Sequence, residues 1–164
     1  MSYQASAWVP FGAALAGVAG ALTGLLFVAV SIKSDVLARS RNLSSRAAQT
    51  LVLFMIAVLL GLAVVTPQPR VALGAELIGL AAVSGFILQF LDRRAGSAGE
   101  NANTAERYIE RFSPNLVTAA LVGIAGLSLA VRFGGGLYWV LPAAVTSLLG
   151  GVTSAWLFLV RVTG

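Results

Sequence analysis

Residues 8–32 read WVPFGAALAGVAGALTGLLFVAVSI, a run without one charged side chain. A membrane-crossing helix needs roughly 20 mostly apolar residues to traverse the hydrocarbon core, and this stretch exceeds that. It is not alone. Residues 47–66 form a second run, 71–91 a third with one acid inside it (Glu76), 114–131 a fourth opened by Pro114, and 138–160 a fifth. The sequence therefore predicts an all-α integral membrane protein with five transmembrane helices in a single polytopic domain covering residues 1–164.

Composition points the same way. Of 164 residues, 58% are hydrophobic and 10% charged, and mean hydropathy is +0.89. Soluble domains carry about 25% charged residues, and a chain of this size has no way to hide so much apolar surface from water. Cysteine and histidine are both absent, so zinc, haem-histidine and iron–sulfur ligation, cysteine nucleophiles and a Ser–His–Asp triad have no residues to build on. The acids Asp35, Glu76, Asp92, Glu100, Glu106 and Glu110 are too scattered for a carboxylate metal site. No catalytic constellation, cofactor motif or metal motif is legible, and the expectation is a non-enzyme without cofactors.

Charge gives orientation. With the N-terminus outside and the C-terminus inside, the inner segments 33–46, 92–113 and the C-terminal tail hold Lys33, Arg39, Arg41, Arg46, Arg93, Arg94, Arg107, Arg111 and Arg161. Only Arg70 and Arg132, of the 11 basic residues, remain outside. Lys and Arg concentrate in short cytoplasmic loops, so this bias predicts a plasma (inner) membrane protein whose basic loops meet an anionic leaflet. The net charge of +5 is accounted for by that leaflet, not by nucleic acid. Trp8, Tyr138 and Trp139 fall at the outer interface, where amphipathic rings prefer to sit.

The links differ by side. The outer ones, 66–70 and 132–137, are short turns rich in Pro or Gly, which force antiparallel neighbours. The inner loops 33–46 and 92–113 are longer. Ser44 or Ser45 is a candidate N-cap for the second span, and residues 103–112 read as a short amphipathic helix lying on the inner leaflet or as a solvated loop with a helical turn. The hairpins of spans two–three and four–five also echo one another, with 82–88 laid over 151–157.

Two features carry functional expectations. In span one, Gly12, Ala16, Gly20 and Gly24 recur every four positions, and span five offers Ser147 and Gly151. Small residues let backbones approach closely where lipid supplies no hydrophobic drive, either inside one protomer or along a homo-oligomeric seam. Glu76 lies within a span, where an ionisable group is expected to face a cavity, a bundle interior or a partner. Either it serves cations or protons at an outer vestibule, or it pairs with Arg132 or Arg70. The leading expectation is a homo-oligomeric channel or pore-type transporter for ions or small solutes. The alternative is a non-catalytic accessory or scaffold subunit of a larger membrane complex.

Overall fold

The structure is a computed structural model, and it describes residues 5–32, 34, 41–95 and 114–163. Five helices fill nearly all of this: α1 Val9–Ile32, α2 Arg41–Val65, α3 Arg70–Ala95, α4 Pro114–Val131 and α5 Val140–Thr163. Single turns of 3₁₀ helix, Ala5–Trp8 and Gly136–Trp139, precede α1 and α5. The described residues contain no strand. Four helices are long and apolar enough to cross a membrane; α4 is the shorter fifth, apolar over Leu116–Val131.

The prolines explain several boundaries. Pro10, Pro114 and Pro142 fall in the first turns of α1, α4 and α5, where a missing N–H leaves no intrahelical bond unmade. Pro67 and Pro69 sit in the turn 66–69 between α2 and α3, because a residue before proline is pushed out of the helical region. One boundary departs from the sequence reading. The second helix starts at Arg41, six residues ahead of the expected 47, so Ser44 and Ser45 lie inside it rather than capping it. Nothing in Arg41-Asn42-Leu43 breaks a helix, and hydropathy marks where lipid ends, not where helical hydrogen bonding ends. Similarly, α3 continues through Ala95, past the apolar run.

Helices α2, α3, α4 and α5 form a closed ring, each packed on the next and α5 back on α2; α1 lies outside it along α2, barely touching α5. The axis of the ring is filled. Leu53, Ile56, Leu60, Leu77, Val122, Leu129 and Val140 are at most 1% exposed. Outward the surface is equally apolar: Leu25, Phe27, Ile32, Val83, Phe86, Val131 and Trp156 are all more than half exposed. Helices apolar all round are those of large protein cores or of membrane spans, and these are consistent with a multi-pass membrane protein.

The tightest crossings are made by glycine on glycine. A Cβ placed on Gly61 of α2 would lie 2.5 Å from the Gly12 carbonyl oxygen and 2.7 Å from the Ala16 nitrogen of α1. Likewise a Cβ on Gly126 of α4 would lie 2.8 Å from both the Gly74 oxygen and the Ile78 nitrogen of α3. Neither site has room for any side chain. Each crossing joins the start of one helix to the end of the next, so both pairs are antiparallel and meet closest at the end of the bundle that carries the turns.

These crossings repeat one another. Gly12, Leu15, Ala19 and Leu26 have the same spacing and identity as Gly74, Leu77, Ala81 and Leu88, and all lie on packed faces except the half-buried Ala81, which meets Gly123 of α4. On the partner helices, Ala57, Leu60, Gly61 and Val64 match Val122, Ala125, Gly126 and Leu129, buried in both cases. The correspondence runs α1–α2 onto α3–α4, a different frame from the α2–α3 and α4–α5 echo read in the sequence.

Candidate functional site

Glu76 sits in the second turn of α3, close behind the turn 66–69. Its carboxylate accepts a hydrogen bond from Gln68 Nε2 at 2.8 Å, and the other Gln68 N–H is directed to the Ala63 carbonyl at 3.1 Å. Two prolines flank Gln68 and hold it over the last turn of α2. Beneath it, a groove of about 310 Å³ runs between α2 and α3, lined by Leu59, Leu62, Ala63, Thr66, Glu76, Leu77 and Leu80. The acid thus stands exposed at the mouth of a surface groove and not on the filled axis of the ring.

The two arginines named beside it lie at the same end of the bundle. Arg70, first residue of α3, donates from Nε to the Leu129 carbonyl at 3.0 Å, which puts a cation against the carbonyl end of α4, where the helix dipole favours it. Arg132 ends α4 with φ of 61° and is exposed. It occupies the left-handed closing position that glycine usually takes.

The loop after it is tied down from several sides. Gly134, Gly135 and Gly136 all have positive φ, which explains the triplet. Ser128 of α4 donates to the Phe133 carbonyl and accepts from the Gly136 N–H at 2.8 Å. The Trp139 indole donates to the Gly134 carbonyl. Trp8 meets Tyr138 edge-on with centroids 5.2 Å apart, and Phe11 at 5.7 Å. The aromatic side chains expected at one interface therefore gather at one end of the bundle, joining the start of α1 to the start of α5.

Small residues divide into used and unused. Gly12 and Ala16 lie in the α1–α2 crossing; Gly20 and Gly24 do not, and a Cβ on either would meet nothing within 4 Å. The cause is helical geometry. A step of four residues advances 400°, so the stripe winds, and relative to Gly12 the later glycines have turned by about 80° and 120°. The face that follows α2 runs instead through Leu15, Ala19 and Leu26, all buried. Gly17, also open, joins Gly20 and Gly24 on an uncovered flank. In α5, Ser147 Oγ donates to the Leu53 carbonyl of α2, and Gly151 lies flat against the Phe54 ring, so both hold α5 to α2. Other hydroxyls stay on their own helices: Thr23, Thr146 and Thr153 bond the carbonyls of Ala19, Pro142 and Leu149 four residues back.

Among the basic residues, Arg46 is half-buried near the start of α2 and Arg93 exposed near the end of α3, at the end of the bundle opposite the turns. Arg41 and Arg94 lie on the same two helices, with side chains outside the described set. Lys33, Arg39 and the amphipathic segment 103–112 lie outside the described residues. Within those described, no group of three or more His, Cys, Asp or Glu could hold a metal ion.

Three packing residues and one polar partner escaped the sequence reading: Gly61, Gly74, Gly126 and Gln68. A lone glycine inside an apolar helix costs about 1 kcal/mol against alanine, so its presence signals a packing reason; that signal was available for Gly61. Gln68 carried none, because its role depends on where α3 re-enters. Compared with known protein families, with curated proteins and with solved structures, nothing matches this chain.

Proposed function

We infer that this protein is a small homo-oligomeric channel or pore-type transporter of the plasma membrane, with its N-terminus outside and its protomers joined through α1. The observation that carries the reading is the open flank of α1. Gly12, Gly61, Gly74, Gly126 and Gly151 each meet a neighbouring helix, whereas Gly17, Gly20 and Gly24, together on one flank, meet nothing; Gly79 of α3 is open as well, but is the single open glycine described on its helix. Glycine in a helix is unfavourable without a close backbone neighbour, and in lipid such a flank suits a second helix. Because the axis of the ring is filled, this reading puts the path for ions or small solutes between protomers.

The same filled axis favours the second reading, a non-catalytic scaffold subunit whose α1 flank receives a helix of a larger partner. Both readings are separated by one set of measurements. The chain contains no cysteine, so Gly20→Cys introduces a single thiol. Under the channel reading, this variant cross-links to itself in membranes, native mass in mild detergent shows one symmetric oligomer, and liposomes carrying it pass ions. Gly24→Leu then dissociates the oligomer and abolishes flux while each protomer stays folded. A monomer that recovers its mass only with a larger partner would refute the channel and leave the scaffold.

A further inference from the structure

We propose that the groove between α2 and α3 is a binding site for a single-chain amphiphile bearing a primary ammonium group, with the ammonium on Glu76 and the alkyl chain along the leucines below. The site is independent of assembly through α1. It is built by the turn 66–69 and the two helices that leave it.

The charge comes first. Of the residues that line the groove, one is ionisable, and it is an acid. The six acids of the sequence include no other within an apolar run, and an acid in such a position is costly unless it has a partner. Gln68 supplies one hydrogen bond to Oε2. A carboxylate can accept about four, so the Gln68 bond takes up only part of its capacity.

The neighbours of Glu76 determine what kind of cation fits. Both Gln68 N–H groups are engaged, with Ala63 and with Glu76 itself, and Gln68 is not part of the lining, so it offers the groove no donor that would compete for the carboxylate. Thr66 donates its hydroxyl to the Leu62 carbonyl at 2.9 Å, so its oxygen is left to accept. The mouth therefore offers acceptors to a group rich in N–H donors. Quaternary ammonium groups are recognised by aromatic cages, and the lining contains no aromatic ring. A zwitterionic headgroup would bring its phosphate next to the carboxylate, with no cationic side chain in the lining to meet it.

Below the mouth the walls are aliphatic. Leu62 and Leu59 on α2 are 51% and 42% exposed, and Leu77 and Leu80 close the groove on α3. From Thr66 to Leu59 the groove descends roughly 10 Å at 1.5 Å per residue, enough to seat most of a medium alkyl chain. In the orientation proposed above, the mouth lies at the outer interface and the chain points into the bilayer.

The test is thermal stability of the purified protein in neutral micelles, titrated with dodecylammonium, dodecyltrimethylammonium, dodecylphosphoethanolamine and dodecanol. A ligand bound only by the folded state raises the melting temperature in a saturable way. Dodecylammonium is expected to do so, with half-saturation at least about ten-fold lower than the trimethyl compound, a difference of about 1.4 kcal/mol. Glu76→Gln removes the response, and Leu62→Trp, which keeps the acid and fills the groove, removes it as well. Equal responses to the ammonium and trimethylammonium compounds, an unchanged response in a folded Glu76→Gln or in Leu62→Trp, or no response in the native protein overturns the proposal. If Glu76→Gln does not fold, Leu62→Trp alone decides.

Discussion

Replacing Gly61 by alanine tests the central packing claim most directly. The added Cβ would stand 2.5 Å from the Gly12 oxygen, where ordinary contact begins at 3.4 Å. Both obstacles, Gly12 O and Ala16 N, are backbone atoms, so no rotamer change relieves the clash and α1 must move out by about 0.9 Å. Radial gaps of about 0.5–1 Å forfeit a quarter to a half of each dispersion contact, and overpacking typically costs about 1–3 kcal/mol. Alanine's better helix propensity returns about 1 kcal/mol. A net loss of up to about 2 kcal/mol is expected, confined to the seating of α1 on α2. The control is Gly20→Ala, which gains the same propensity and meets no atom within 4 Å; in dispersed protomers it should be neutral or up to about 1 kcal/mol more stable. The assay is reversible unfolding in mixed micelles of increasing denaturing-detergent fraction, followed by circular dichroism. If Gly61→Ala is as stable as Gly20→Ala, the glycine–glycine crossing does not seat α1 and the argument fails.

Three further expectations follow from the same geometry. Gly151→Ala drives a Cβ into the ring of Phe54, which is 2% exposed and has nowhere to turn; it should cost about 1–3 kcal/mol, and adding Phe54→Leu should recover part of that in a double-mutant cycle. Ser147→Ala removes the bond from α5 to the Leu53 carbonyl and should cost about 0.6 kcal/mol, the usual worth of an interhelical bond in a membrane, measured by the same titration. Arg132→Gly relieves a side chain held at φ of 61°; left-handed backbone costs an ordinary residue about 1–2 kcal/mol, so a stabilised variant is expected.

Legibility differed between parts of the molecule. The unbroken apolar run 8–32 announced α1, and Pro67-Gln68-Pro69 announced the turn that follows α2. Hydropathy and proline act on a few residues at a time, so one chain suffices to read them. The early start of α2 at Arg41 was harder, since helical hydrogen bonding continues where hydropathy has already fallen. The candidate site was legible in one residue, Glu76, because an acid in an apolar run stands out. Gln68, which donates to it, carries no comparable signal eight residues away.

Class, helix positions and turns were thus determined by the sequence itself, through local hydropathy, glycine and proline chemistry. Tertiary structure alone decided which small residues are used. Gly12 and Gly24 lie on one four-residue stripe, yet the first is clasped by Gly61 and the second is open. The stripe turns 40° with each step while the surface of α2 does not follow it. Likewise the ring of α2 to α5, with α1 left outside, depends on how whole helix faces fit one another. That fit is a property of pairs of surfaces, and no single stretch of chain contains it.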